Sequence, residues 1–179
     1  MTCSFCKHSE RVAADSPENA EAPRWKLFAQ EYLVGEGKKC TRHFKKITDA
    51  DYSLYKVANQ RINEIGNELL SPSREIPIEG RSDGRPLTHG IKRYADFFND
   101  RQKLHLHLLG KSINQIDCDE ARRCMELAFS EHLTTNCLYT GYAFGYRITS
   151  PMFSIHAYRH ITRPVEINPW LDGIGRGTF

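Results

Sequence analysis

Apolar residues recur at helical spacing in three stretches of the chain. In the first, about 49–69, Leu54, Ala58, Ile62, Ile65 and Leu69 fall on one face of a 3.6-residue period. Thr48 is placed to cap this helix and Asp51 to complete a capping box, which satisfies backbone N–H groups that have no partner within the helix. Ser71-Pro72 is expected to end it. Asn99 opens the second helix with Gln102 at its third position, and Leu104, Leu108, Leu109, Ile113 and Ile116 are expected to face inward. The third has the clearest stripe: Ala121, Cys124, Met125, Ala128, Phe129, His132 and Leu133, with Asp117 as cap and Glu120 closing the box. A short helix is expected over "IKRYADFF".

Elsewhere the period changes. "WKLFAQEYLV" alternates aromatic and apolar residues and predicts a strand ending at Gly35 and Gly37. "CLYTGYAFGYRI", after Asn136, is Gly-spaced and aromatic and predicts one or two strands. Residues 1–46 read as irregular structure with short strands, including the polar, flexible "VAADSPENAEAP". "SPSREIPIEGRSDGRPLTHG" is long for a loop in a compact domain and suggests a functional or docking role. "NPWLDGIGRGTF" is turn-rich. The expected fold is therefore α+β and mainly helical. A zinc-ribbon-like segment (1–46) precedes a region (47–179) of three long helices and a C-terminal aromatic strand/turn part.

Composition narrows the class only modestly. The 179 residues suit one domain, or one domain with a small appendage, and 40% apolar with 26% charged residues is ordinary for a globular protein. The first twenty residues have no apolar core of the kind a signal peptide carries, so the expected location is the cytoplasm. Thiols stay reduced there, which points the six cysteines toward ligand or core roles rather than disulfides.

Charge distribution says more than the net +3. "KKCTRHFKK" packs Lys38, Lys39, Arg42, Lys45 and Lys46 with one histidine into nine residues. From His132 to Val165 there is no Asp or Glu, while Arg147, Arg159 and Arg163 stand among aromatics. These cations suit phosphates and the aromatics suit stacking on bases, so DNA is the expected partner. The plainer alternative is a solvated basic loop beside an aromatic core.

Cys3-x-x-Cys6 and Cys40-x-x-His43 each have the spacing at which a tight turn aims two side chains at one metal. Together they supply a tetrahedral set for a structural Zn²⁺, with His8 as a substitute for His43; the alternatives are a degenerate ribbon or reduced cysteines without metal. Cys124, on the third apolar stripe, reads as a core residue, as does His132. His105 and His107, two apart on a helix, point in roughly opposite directions and read as surface or satisfied histidines. His156 and His160 have ligand-pair spacing, but Pro151 and Pro164 limit any helix there. No Ser-His-Asp or Cys-His arrangement and no GxxxxGK[ST] loop stands out, and "GIGRGTF" follows no clear strand.

The run "IPIEGRSDGRPLTHGIKRYADFFNDRQKLHLHLLGKSI" resembles the middle region of a family of site-specific DNA methyltransferases, the adenine-specific DNA methylases that contain a zinc ribbon. Phe97, Phe98, Asn99, Arg101 and Gln102 match the family's aromatic-rich segment before a Leu-rich helix. "RHFKKITDADYSLYKVANQRI", "AFSEHLTTNC" and "PVEINPW…GRGTF" resemble flanking segments in the same order, over about residues 24–179. The resemblance implies an internal segment of a larger α/β methyltransferase, from a split gene or a truncated frame. It contributes DNA contact and scaffold, and S-adenosylmethionine belongs only to a full-length family member. In the family the cofactor's Gly-rich motif lies before this region and the catalytic Asp-Pro-Pro-Tyr after it; neither is present here.

Asn168-Pro169-Trp170 is one proline short of that tetrad, whose polar residue and prolyl carbonyl hold the target amino group while the aromatic stacks on the extruded base. The expected reading is a turn and no catalytic residue. The chain alone is expected to be inactive and to need complementary methyltransferase segments. The alternative is a stand-alone zinc-containing module that binds nucleic acid or protein.

Overall fold

The computed structural model describes residues 25–35, 39–77, 84–143, 148–154, 158 and 164–170. Strand β1 (Ala29–Val34) pairs antiparallel with β2 (Thr41–Lys46), Ala29 opposite Lys46 and Val34 opposite Thr41. Helix α1 (Asp49–Ile65) follows, then the one-turn α2 (Arg85–Thr88), α3 (Asp100–Asn114) and α4 (Asp119–Thr135). A second antiparallel pair, β3 (Gly141–Ala143) and β4 (Ile148–Ser150), comes last. Among the described residues the architecture is α+β with two small sheets. No helix among the described residues is long and apolar enough to cross a membrane.

The caps of α1 and α3 form where expected. The Asp51 carboxylate accepts the Thr48 backbone N–H at 2.9 Å and its hydroxyl at 2.7 Å. Asn99 and Gln102 exchange side-chain and backbone hydrogen bonds, both 3.0 Å, in a reciprocal box. The stops differ. Helix α1 ends at Ile65, not near 69, because Gly66 takes φ +56°, a left-handed conformation that glycine adopts without a Cβ clash. A 3₁₀ turn, Gly66–Glu68, continues the chain. For α4 the cap is Cys118 rather than Asp117, and Glu120 closes no box. Two further short elements stand at or near expected places: the 3₁₀ turn Tyr94–Phe97 within "IKRYADFF", and α2 inside the segment read as one long loop.

The buried faces are rotated from the expected stripes. On α1, Ala58 is buried and Ile62 and Ile65 are half-buried, while Leu54 is 67% exposed. On α3 the buried line is Gln102, Leu106, Leu109 and Ile113, and Leu108 points outward. On α4, Met125, Phe129 and Leu133 are half-buried and His132 fully so, but Ala121, Cys124 and Ala128 are exposed. Cys124 is therefore not a core residue. Both α3 and α4 carry apolar residues on two adjacent stripes, and a 3.6-residue period cannot rank them without knowing where the neighbouring element lies.

The core gathers around Phe97. Its ring stands edge-on to Tyr139 at 4.9 Å and stacks on Tyr158 at 5.5 Å. Ile76, Leu87, Ile91, Leu106, Cys137 and Met152 complete the cluster. Two backbone bonds fix the segment after α4 against it: Leu138 N–H donates to Phe97 O at 2.7 Å and Met152 N–H to Thr134 O at 2.8 Å. The β1–β2 hairpin is tied on by side chains. Tyr52 donates its hydroxyl to Leu27 O, and Tyr142 of β3 donates to Glu31 of β1, both at 2.7 Å.

Candidate nucleic-acid interface and the turn beside it

Strand alternation decides what the basic run can do. In a strand, side chains two apart share a face. Arg42 and Lys46 therefore project from one side of β2 and Lys45 from the other. Arg42 lies 3.5 Å from Glu31 and Lys45 lies 3.7 Å from Asp51, so two of the cations already face carboxylates. Lys39 and Lys46 are exposed and make no ion pair among the described residues. Lys38, Arg147, Arg159 and Arg163 lie outside the described residues. In the acid-free stretch, Tyr139 and Tyr158 are core aromatics around Phe97, which is the plainer of the two expectations for those rings.

The metal set is half described. Cys40 immediately precedes β2 and His43 lies inside it, so this pair occupies an extended strand start and not the tight turn its spacing suggested. The His43 Nε2 is 2.9 Å from the Thr41 hydroxyl, and its ring is 5.7 Å from Tyr32. Cys40 is half-buried and forms no disulfide. Cys3, Cys6 and His8 lie outside the described residues, as do His156 and His160. Among the described residues no group of three or more His, Cys, Asp or Glu converges as a metal site.

A polar constellation assembles at the start of α3, most of which no pattern in the sequence announces. The Glu166 Oε2 accepts from Asn99 Nδ2 at 2.9 Å and from Arg101 Nη2 at 2.7 Å. The Arg101 guanidinium also lies over the Tyr55 ring of α1, 5.1 Å from its centroid. Burial, with Asp100 and Glu166 nearby, pushes the Tyr55 hydroxyl above its ordinary pKa. Arg101 thus joins three parts of the chain: α1, α3 and the 164–170 segment. Asn59 strengthens the α1–α3 contact by donating to Asp100 at 2.6 Å.

Beyond Glu166 the chain turns. Pro169 is buried, and the Asn168 side-chain oxygen accepts the Trp170 N–H at 3.1 Å. That oxygen therefore makes a local Asx-type turn. The Trp170 ring stands edge-on to His105 of α3, centroids 5.0 Å apart.

His105 in turn meets His132 of α4, Nε2 to Nε2 at 2.5 Å. The tautomers follow from Asn136. Its amide nitrogen lies 3.1 Å from the His132 carbonyl oxygen and so must donate; the same nitrogen is 2.9 Å from His132 Nδ1, which therefore accepts. His132 carries its proton on Nε2 and gives it to His105 Nε2, which leaves the His105 proton on Nδ1. Burial lowers the His105 pKa to about 4, so its ring is neutral at pH 7. His107, two residues on, points the other way and accepts the Leu70 N–H at 3.1 Å. The buried donors Arg101 Nε, Gln102 Nε2 and His105 Nδ1 have no acceptor among the described residues.

Compared with protein-family models, curated proteins and solved structures, the chain matches none.

Proposed function

We propose that the chain is the central, non-catalytic segment of a site-specific DNA amino-methyltransferase, contributing scaffold and DNA contact to an enzyme completed by other segments. One observation carries this reading. Asn99-x-Arg101-Gln102 and Glu166-x-Asn168-Pro169-Trp170, two of the ordered segments that resemble the family, are joined through Glu166 across 67 and 65 residues. Motifs that depend on each other for their hydrogen bonds belong to one structural unit, as a resemblance in ordered pieces requires.

The geometry of Asn168 supports the non-catalytic part. An oxygen engaged with the Trp170 N–H makes a turn and is not aimed at a base's amino group. The DNA contact rests on Lys39 and Lys46 among the described residues, with Lys38, Arg147, Arg159 and Arg163 completing the proposed set. A structural zinc on Cys3, Cys6, Cys40 and His43 belongs to the same proposal. Metal analysis tests it: about one zinc per chain, lost on Cys40→Ser, supports the site, and a metal-free chain removes it. A cytoplasmic location goes with this reading.

The test of function is a pair of assays on the purified chain. Duplex DNA should bind at low salt, and radiolabelled methyl groups should not be transferred from S-adenosylmethionine. Methyl transfer by the chain alone would overturn the non-catalytic assignment, and failure to bind DNA would overturn the contact.

A further inference from the structure

A glycine inside a helix weakens it, because glycine loses more backbone freedom on ordering than any other residue. Gly110 nevertheless stands inside α3, and its surroundings supply a use for it. A Cβ at this position would lie 3.2 Å from Leu70 Cδ1 and 3.9 Å from Phe129 Cζ. The missing side chain leaves room in a cleft of about 310 Å³ between α3, α4 and residues 70–72. Leu106, Ile113, Phe129 and Leu133 line it with apolar surface. Phe129 and Leu133 are only half-buried and Leu70 is exposed, so the cleft opens to solvent. Its Leu70 wall is fastened to α3: the Leu70 N–H donates to Nδ1 of the buried His107 at 3.1 Å.

We infer that this cleft binds a small apolar amine, its hydrocarbon or aromatic body against the leucine, isoleucine and phenylalanine side chains and its ammonium at the Glu126 carboxylate. Size and lining are those of a small-molecule site: such pockets begin at about 300 Å³ and are mostly apolar, with a few polar groups that set orientation. Water is a poor occupant of apolar walls, where it finds few hydrogen-bond partners. Charge selects the class of ligand. Glu126 is the one ionisable residue lining the cleft; Ser71 and Asn114, its other polar members, are uncharged. Among the described residues Glu126 makes no ion pair, and Arg122, one turn before it, is taken up by Asp119 and the Ile116 carbonyl. A cation is therefore attracted at this rim and an anion repelled. The site stands apart from the proposed DNA contact and does not depend on it.

Three probes that share one apolar body test the inference: phenylpropylammonium, the neutral phenylpropanol and the anionic phenylpropanoate. Each is titrated at pH 7 into the full chain labelled on nitrogen, and the Leu70 and Gly110 amide signals are followed by NMR. The ammonium should shift both signals saturably, with a Kd below about 1 mM for a ligand of this size. It should bind up to about 5-fold tighter than the alcohol, the range an exposed ion pair supplies, and the anion should bind weakest. Glu126→Gln should erase that order and leave the affinity for the alcohol unchanged. Gly110→Ala, which puts a methyl group between Leu70 and Phe129, should weaken all three probes by about 5-fold or more. Alanine is the better helix former, so this variant should melt no lower than the parent chain, which serves as the folding control.

No saturable shift of the Leu70 and Gly110 signals by the ammonium would overturn the site. So would shifts spread over the surface and indifferent to Gly110→Ala, which mark non-specific partitioning. Equal affinity for ammonium and anion, or an ammonium preference that survives Glu126→Gln, would overturn the assignment of an amine. Glu126 is exposed, so its variant keeps the fold and carries this arm even if Gly110→Ala lowers the melting temperature. None of these results bears on the DNA reading, which duplex binding decides separately.

Discussion

Arg101 and Glu166, 65 residues apart, meet at 2.7 Å, and the same Glu166 oxygen takes a second bond from Asn99. Both side chains are partly shielded from solvent, so the pair is neither a surface ion pair of negligible worth nor a buried one with a full desolvation cost. It fixes the 164–170 segment to the start of α3. Glu166→Ala should therefore destabilise the fold by about 1–3 kcal/mol in urea unfolding, and Glu166→Gln by less, because an amide oxygen can still accept from Asn99. Arg101→Ala and Glu166→Ala together should cost less than their sum, with a coupling of about 0.5–2 kcal/mol. Strict additivity would mean that the two residues do not act on each other.

The His105–His132 contact predicts a pH dependence with a definite sign. The folded-state pKa of His105 is lowered to about 4 by burial, below the usual value of 6.5. Between those values the unfolded chain binds the proton and the folded chain does not. Stability is then fully present above about pH 6.5 and falls as the pH drops toward 4. A hydrogen-bonding reason runs the same way: protonating His105 on Nε2 would face an N–H against the N–H of His132. The melting temperature should decline over this window, and His105→Asn should flatten the decline. Asp51 acts in a lower window. Its carboxyl is held below the ordinary 3.8, first by the Thr48 backbone N–H and then by the Thr48 hydroxyl, so its contribution fades only in stronger acid.

Cysteine reactivity checks the rotated face of α4. Cys118 and Cys124 are exposed, whereas Cys137 is buried in the core, where burial pushes its thiol pKa upward. A thiol reagent followed by peptide mapping should label Cys118 and Cys124 in the native protein and reach Cys137 only on unfolding. Rapid native labelling of Cys137 with protection of Cys124 would restore the stripe expected from periodicity. In the same way Phe97→Ala should cost about 3–5 kcal/mol, and Leu127→Ser, at a position 74% exposed, should stay within about 0.5 kcal/mol.

What the sequence made legible was local. The Asn99–Gln102 box and the Thr48–Asp51 contact form because cap chemistry is decided within four residues. The β1 strand and the aromatic strands after Asn136 follow from alternation and composition in the same short range. The inward faces were less legible. Leu54, Leu108 and Cys124 fit a helical stripe as well as Ala58, Leu106 and Phe129 do, and only the neighbouring element chooses between them. The basic run read as a turn-forming ligand pair and a cation cluster; as β2 it is an extended strand, which sends its cations to two sides. The Glu166–Arg101 and His105–His132 contacts leave no periodic trace at all, because each joins residues far apart in sequence through a single geometry. Arg101, between Tyr55 and Glu166, ties the start of α3 to its neighbours.

The salt dependence of duplex binding decides the proposed DNA contact. Each phosphate neutralised by a cation contributes about −0.9 to the slope of log affinity against log salt. The chain should bind duplex DNA at low salt and lose affinity steeply as salt rises. Lys39→Ala with Lys46→Ala should flatten the slope by about 1–2, roughly one step per lost contact. Arg42→Ala, Lys45→Ala and Arg101→Ala should change it little, since those cations already face Glu31, Asp51 and Glu166. No binding at low salt, or a salt-independent affinity, would contradict the account.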